Sequence, residues 1–327
     1  MNEAKDSQTT RAWDTYWQGA RDAEAYSSGG VSHPVIASFW DDTLGKFLAA
    51  RDHTRVLDIA TGSGAVVERL TQFSSDSQFD VTCVDISGAA IGGVLGRFPE
   101  VAGIVSDAGS IPLDSFGYDL VTSQFGIEYA GPSAIDEAAR LLAPGGSLIL
   151  LMHIAESVIY HECSAALDAV RRTQKSGFVT LALRFFEAGF AAVRGADRRP
   201  YDRAALQLNP AIRELESILS DHGQQVAGDT VARLYADVQK IHSRLQYFEP
   251  DEVLGWLRTM ETELSEYEER MASMCNAAID DDAFQALCEK LRGLGLSITK
   301  SEPLLPGDDP RPLAWVLQAD RGLTHVE

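Results

Sequence analysis

Acidic and glycine residues stand together where the first strongly apolar run of this 327-residue chain ends. The segment 56–65 reads VLDIATGSGA and contains Asp58, Gly62 and Gly64. A buried strand that leads into a glycine turn leaves backbone N–H groups open to an anionic or zwitterionic ligand. This segment therefore predicts a ligand-binding turn, although two glycines after a strand do not by themselves say which ligand binds.

Four further apolar runs follow, and each ends in a polar or small residue. The segments between them are long enough for a helix or a connector, which is typical of alternating strand and helix units. Because the carboxyl ends of parallel strands face one crevice, we expect Asp58, Asp85 and Asp107 to lie around the same site. The four runs are VTCVDIS (81–87), IVSDA (104–108), YDLVTSQFG (118–126) and GGSLILLMH (145–153).

This order of elements resembles the class I S-adenosylmethionine (SAM) dependent methyltransferases, over about residues 50–155 and the C-terminal region. The resemblance implies an α/β fold with a Rossmann-like, doubly wound, seven-stranded and mostly parallel sheet. The runs 296–306 and 313–321 would form its antiparallel C-terminal hairpin. A nicotinamide dehydrogenase begins in a similar way, but its third small residue would fall at Val67, where valine crowds the packing of helix on strand.

The resemblance also implies SAM as the cofactor and assigns residues to its parts. The loop at Asp58 would wrap the methionine end, Asp85 would accept hydrogen bonds from the ribose hydroxyls, and Asp107 would receive the adenine amino group. The implied cofactor-binding residues are Asp58, Ala60, Gly62, Gly64, Asp85, Ile86, Asp107, Ala108, Ser123, Gln124 and Gly126, with Trp17 from an aromatic N-terminal helix.

One position departs from the family pattern, because Ala60 stands where the family has its first glycine. A methyl group is tolerable there if the backbone stays at negative φ. We therefore expect Ala60 at negative φ.

Charge and hydropathy limit the partners. Lys and Arg number 28 against 48 Asp and Glu, a net charge of −20, and such a field repels phosphate backbones and anionic membranes. No run of 18 apolar residues occurs and the N-terminus is polar, so neither a membrane span nor a secretory signal is expected. We expect a cytoplasmic protein that acts on a small molecule and binds neither nucleic acid nor membrane.

The expected organisation is an N-terminal helical lid (1–48), a SAM-binding domain (49–154 with 291–327) and a helical insertion (155–290). Within the insertion, apolar residues recur at steps of three and four, which predicts an antiparallel helical hairpin over about 230–278. Pro250 would end its first helix. The insertion would decorate the sheet edge, cover the acceptor or form a homodimer arm; these three alternatives stay open.

Methyl transfer from a sulfonium depends mainly on alignment and desolvation, and a base is needed only where the acceptor loses a proton. Candidates near strand ends are Glu128, Tyr129 and His153, of which the imidazole titrates nearest neutral pH. The alternative for each is a hydrogen-bonded residue without catalytic duty. His161 and Glu162 are adjacent, so their side chains diverge on a helix, and no metal role is predicted.

These observations predict a SAM-dependent methyltransferase that transfers a methyl group to an oxygen or nitrogen of a small acceptor by in-line displacement. The alternative is a SAM-binding regulatory or assembly subunit without turnover, which would act through the helical hairpin.

Overall fold

The computed structural model describes Asp14, Trp17 and residues 33–74, 78–306 and 311–323. The chain divides into two compact units. The sheet unit comprises Met1–His161 and Ser273–Glu327, and the helical unit comprises Glu162–Ala272.

The described elements follow one another along the chain as alternating strands and helices, then a run of helices, then two strands. They are α1 (Pro34–Ala49), β1 (His53–Ile59), α2 (Ala65–Thr71), β2 (Gln78–Asp85), α3 (Gly88–Arg97), β3 (Ala102–Val105), β4 (Tyr118–Gln124), α4 (Pro132–Leu141), β5 (Leu142–His153), α5 (Val158–Lys175), α6 (Phe178–Val193), α7 (Arg199–His222), α8 (Thr230–Ser243), α9 (Pro250–Ala277), α10 (Asp281–Gly293), β6 (Leu296–Leu304) and β7 (Ala314–Arg321).

The strands form a seven-stranded sheet in the order β3-β2-β1-β4-β5-β7-β6. The first five strands of the chain pair in parallel, and β7 runs antiparallel to both β5 and β6. The strand order reverses between β1 and β4, which is where an open α/β sheet presents its ligand crevice. The predicted doubly wound sheet with an antiparallel C-terminal hairpin is confirmed.

Both faces of the central strands are covered. Leu57 and Ile59 on one face of β1 belong to an apolar core that also contains residues of α4 and α10. The alternate residues Val56 and Asp58 are 0% and 1% exposed, so the opposite face is also shielded from water. Burial on both faces applies to Val56–Ile59, where the apolar residues of β1 lie, whereas His53 and Arg55 near its start are exposed.

The C-terminal boundary of the helical insertion differs from the prediction. The helical unit ends at Ala272, whereas the sequence interpretation extended the insertion to residue 290. Helix α10 belongs to the sheet unit because Phe284 stacks on Trp315 of β7, with ring centroids 4.1 Å apart and an interplanar angle of 7°. The apolar residues of α10 recur at the same spacing as those of the insertion helices. Periodicity alone therefore does not decide to which unit α10 belongs.

The helical unit contains most of α5, all of α6–α8 and most of α9. Its closest backbone packing is between α6 and α7, and not within the predicted hairpin of α8 and α9. At this contact a β-carbon on Gly189 would lie 2.8 Å from Leu245 and 3.0 Å from Tyr201, so a side chain there would clash.

The role expected of Pro250 is also corrected. Pro250 is the first residue of α9, and α8 ends earlier, at Ser243. Proline is well suited to a first helical position because its missing N–H would have no partner inside the helix. Homodimerisation through this unit stays a prediction.

Of the predicted N-terminal lid, residues 1–13, 15–16 and 18–32 lie outside the described residues. In the described part of the chain, no single helix is long and apolar enough to cross a bilayer. Helices α5 and α6 reach that threshold only as a pair, and they are bent by 43° at the break between them.

The stack of Phe284 on Trp315 gives a stability prediction. Phe284 is fully buried, so Phe284→Ala should lower the free energy of unfolding by about 3–5 kcal/mol, through lost burial and an unfilled cavity. Denaturant unfolding measures this change. Gln285→Ala is the matched control, because its side chain is exposed on the same helix and its loss should change stability by less than about 0.5 kcal/mol. A loss for Phe284→Ala no larger than that of the control would contradict the packing described here.

Candidate functional site

Asp58, whose side chain is 1% exposed, hydrogen-bonds the turn after β1. Its Oδ2 accepts a hydrogen bond from the Thr61 hydroxyl at 2.6 Å, and its Oδ1 accepts one from the Thr122 hydroxyl on β4 at 2.8 Å. Burial raises the pKa of Asp58 to about 6, although both hydroxyls favour the charged form. Asp58 therefore ties the turn to the neighbouring strand and lies below the cavity described next.

Ala60 adopts a left-handed backbone conformation with φ of +53°, so the expectation of negative φ is wrong. Its methyl group faces the end of β4, where a β-carbon on Gly126 would lie 2.5 Å from the Ala60 β-carbon. The same β-carbon on Gly126 would lie 2.8 Å from the backbone carbonyl oxygen of Ala60, so position 126 requires glycine irrespective of the Ala60 methyl group. The departure from the family pattern places alanine in a strained backbone conformation, which costs about 1–2 kcal/mol.

Asp85, at the end of β2, links the turns that follow β1 and β2. Its Oδ2 accepts the Gly62 N–H and its Oδ1 accepts the Ser87 N–H, both at 2.9 Å. Burial is the largest influence on the pKa of Asp85 and raises it, against the lowering effect of these backbone donors. The backbone N–H of Ile86 is a third donor that lowers this pKa. A carboxylate has about four lone pairs, so three backbone donors leave Asp85 some capacity to accept a further hydrogen bond, as from a ribose hydroxyl.

The end of β3 adds a third carboxylate. Ser106 donates its N–H to the backbone carbonyl of Asp85 at 2.9 Å, which fixes the two strand ends to each other. Asp107 Oδ1 accepts the N–H of Gly109 at 2.7 Å. Ile86, between the two strand ends, leaves 47% of its apolar surface exposed, an available face for a flat ring.

These strand ends surround a cavity of about 410 Å³, within the range of small-molecule sites. Its charged lining residues, in the part of the chain that the structure describes, are Asp85 and Asp107. The site thus offers acceptors for hydroxyl and amino donors and a negative field for a cationic group, which fits SAM. The lining residues are Trp17, Ala60, Gly62, Asp85, Ile86, Ser106, Asp107, Ala108, Phe125, Gly126, Tyr129, Ala130 and Ser273.

The structure brings most of the predicted cofactor residues to this cavity. Those that line it are Trp17, Ala60, Gly62, Asp85, Ile86, Asp107, Ala108 and Gly126, and those outside its lining are Asp58, Gly64, Ser123 and Gln124. Ser123 instead accepts the Ile127 N–H through its hydroxyl at 3.1 Å, and Gln124 accepts the indole N–H of Trp40. Both residues fix the end of β4. That the lining residues bind the cofactor stays a prediction.

Four lining residues were missed by the sequence interpretation: Ser106, Phe125, Ala130 and Ser273. Phe125 carried an available signal, since it follows β4 directly and precedes Gly126. Ser273 carried none, because it lies in a long helix whose periodicity says nothing about a cavity.

The candidate base residues separate into two groups. Tyr129 lines the cavity, whereas His153 and Glu128 have side chains only 0% and 1% exposed and lie outside the lining. Glu128 Oε1 lies 2.7 Å from His153 Nδ1 and accepts the His153 backbone N–H at 2.9 Å. The imidazole packs behind Phe125 and Tyr129, with ring centroids 4.6 Å and 5.8 Å away. A catalytic role for His153 stays a prediction, and its position suits support of the aromatic wall.

Among the described residues, no group of three or more His, Cys, Asp or Glu side chains is placed so that it could hold a metal ion.

Part of the chain is similar to known methyltransferases. A family described as "Methyltransferase domain" matches residues 56–146. A demethylmenaquinone methyltransferase of Beutenbergia cavernae is 32% identical over 105 residues, which are 32% of this chain and 42% of that protein. A ubiquinone/menaquinone biosynthesis C-methyltransferase of Paracoccus denitrificans is 32% identical over 134 residues, 38% of this chain and 50% of that protein. The chain thus spans about half or less of the length of these curated relatives.

A solved structure of a SAM-dependent methyltransferase from Aquifex aeolicus is 18% identical to this chain, with a TM-score of 0.31. The matched region covers 36% of this chain and 65% of the chain in that structure.

The raised pKa of Asp58 predicts a pH-dependent stability. The folded chain keeps the Asp58 proton up to about pH 6, while the unfolded chain releases it near pH 4. Raising the pH through this window therefore favours unfolding, by up to about 3 kcal/mol. Asp58→Asn removes the titration, so the stability of the wild type relative to this variant should fall between pH 4 and pH 6.

Denaturant unfolding of both proteins at a series of pH values, without cofactor, measures the difference. Asp80→Asn is the control, because Asp80 is exposed on β2. Parallel profiles for the wild type and Asp58→Asn would contradict the burial of an ionisable Asp58.

Proposed function

We propose that this chain, which carries a class I SAM-dependent methyltransferase domain, transfers the methyl group of SAM to a small-molecule acceptor. The observation that carries the proposal is the meeting of Gly62, Asp85 and Asp107 around one cavity. Three strand ends supply them, in the order expected of this family. The match of residues 56–146 to the methyltransferase domain supports the same conclusion.

Each part of the cavity is proposed to bind a different part of the cofactor. Asp85 accepts a hydrogen bond from the ribose hydroxyls with the capacity that its backbone donors Gly62, Ser87 and Ile86 leave open. Asp107 accepts the adenine amino group, and Ile86 lies against the ring. The turn at Ala60 and Gly62 surrounds the methionine end.

The bound cofactor would supply a sulfonium methyl that is already activated for in-line displacement. The protein then has to align the acceptor and exclude water. The aromatic wall of Phe125 and Tyr129 serves both tasks. Because the described charged lining residues are both acidic, the acceptor enters as a neutral or cationic molecule, and an anionic acceptor is disfavoured.

For the acceptor atom, the expectation from the sequence is oxygen or nitrogen. The Paracoccus denitrificans relative is named a C-methyltransferase, which favours carbon as the second candidate. A neutral phenol that loses its proton on transfer becomes nucleophilic at both oxygen and ring carbon, so it joins the two candidates in one substrate class. Tyr129 is the proposed residue in contact with such an acceptor, since it lines the cavity beside Gly126.

The affinity for the cofactor tests the first half of the proposal. Asp85→Ala removes two charge-assisted acceptors and should weaken binding of SAM and of its product S-adenosylhomocysteine (SAH) by about 2–4 kcal/mol. Isothermal titration calorimetry measures both affinities. Asp80→Ala removes an exposed carboxylate from the same strand and should leave both affinities unchanged. If Asp85→Ala keeps wild-type affinity, the cofactor does not bind at this cavity.

Transfer itself tests the second half and separates an enzyme from a binding subunit without turnover. We expect methyl-labelled SAM, incubated with the protein and a small-metabolite extract, to yield a labelled product whose ¹³C chemical shift identifies the methylated atom. Asp85→Ala should lose this product. SAM binding without any labelled product would favour the regulatory subunit.

A further inference from the structure

Asp14, from the N-terminal segment, contacts the start of α3. Its Oδ1 accepts the Ser87 hydroxyl at 2.6 Å and the Ala89 N–H at 3.1 Å. Both donors belong to the first turn of the helix or its cap, where N–H groups lack partners inside the helix and a negative charge is favoured. Asp14 thus anchors its own segment to the end of β2.

Trp17 lies three positions after Asp14, and both residues are helical, so the two side chains project from the same side of one turn. The indole of Trp17 lines the cavity. Its Cζ2 atom lies 3.0 Å from the position that a β-carbon on Gly62 would occupy. The ring therefore packs directly on the Gly62 turn, and a side chain at position 62 would displace it.

The described contacts of Asp14 and Trp17 are made to residues that hold Asp85. Ser87 binds Asp14 through its hydroxyl and Asp85 through its N–H. Gly62 packs under Trp17 and donates its own N–H to Asp85. Asp14 and Trp17 thus contact two of the backbone donors of the carboxylate that is expected to hold the ribose.

The charges of the two aspartates are also coupled. Burial is the main reason that the pKa of Asp85 is raised, and the negative charge of Asp14 adds to the same effect. Two neighbouring carboxylates repel each other, and a ligand that brings hydroxyl donors and a positive charge relieves this repulsion.

We propose that Asp14 is a positioning residue of the cofactor site, which holds the indole of Trp17 over the ligand bound to Asp85. This inference rests on the proposed function, because the ligand is SAM or SAH. Asp14 acts through Trp17 and has no contact with the cofactor in this role. Ligand binding at Asp85 and attachment of the segment at Ser87 and Gly62 then strengthen each other.

A double-mutant cycle tests the inference, with SAH as the probe because its neutral sulfur separates positioning from charge attraction. Calorimetry gives the affinity of the wild type, Asp14→Ala, Trp17→Ala and the double variant. Each single variant should weaken SAH binding about tenfold, through loss of a charge-assisted hydrogen bond or of the aromatic wall. In the Trp17→Ala background, Asp14→Ala should weaken binding by less than about twofold, because the group it positions is already gone.

Two further variants distinguish positioning from general destabilisation. Asp14→Asn keeps an acceptor oxygen for Ser87 and Ala89 and should bind SAH within about threefold of the wild type. Ser87→Ala removes one of the two hydrogen bonds to Asp14 and leaves the one from the Ala89 N–H, so it should weaken SAH binding by less than Asp14→Ala does. Asp42→Ala, which removes an exposed carboxylate from α1, is the matched control and should leave SAH affinity unchanged.

Tryptophan fluorescence gives a second readout. The change in emission on adding SAH should be lost in Trp17→Phe and reduced in Asp14→Ala at saturating SAH. A purely structural loss would lower affinity and leave the saturated change intact.

Two results would overturn the inference while leaving the proposed function in place. In the first, the wild type binds SAH and the losses of affinity for Asp14→Ala and Trp17→Ala multiply in the double variant, so the two residues act independently. The other is an Asp14→Ala variant with wild-type affinity. Absence of SAH binding by the wild type would instead overturn the proposed function.

Discussion

One buried carboxylate organises the sheet end of this protein. Asp85 accepts the Gly62 N–H from the turn after β1 and the Ser87 N–H from the turn after β2. Its backbone carbonyl accepts the Ser106 N–H from the end of β3. Three strand ends thus converge on one residue, and the shape of the cavity depends on this convergence. The same residue lines the cavity, so the carboxylate that holds the turns together is also in a position to contact a ligand.

The buried carboxylates and the strained backbone at this site are unfavourable in free energy, and the packing of the surrounding fold maintains them. Burial raises the pKa of both Asp58 and Asp85, which means that ionising them inside the protein is opposed. Ala60 and Phe125 both adopt positive φ, at +53° and +54°, a conformation that side chains disfavour. The two residues directly follow neighbouring strands, and the buried parts of β1 and β4 hold the strained backbone in place. A positively charged ligand would compensate part of the electrostatic cost.

The aromatic wall of the cavity has a different construction. The buried pair of His153 and Glu128 packs against Phe125 and Tyr129, which form this wall. Because Glu128 Oε1 contacts both the imidazole and the backbone N–H of His153, the ring is held at the end of β5 in one orientation. The imidazole therefore supports the wall by packing, and its catalytic role stays a prediction.

The sequence by itself determined the fold class and most of the residues that line the cavity. Apolar runs that end at Asp58, Asp85 and Asp107 specify parallel strands, because strand burial and turn chemistry are local properties and the carboxyl ends of such strands must meet. Only the tertiary structure decided which side chains reach the cavity. Asp58 lies beneath it, Ser273 arrives from a distant helix, and α10 joins the sheet unit through Phe284 and Trp315. These outcomes depend on contacts between residues far apart in the chain, and the periodicity of a single segment carries no information about its partner.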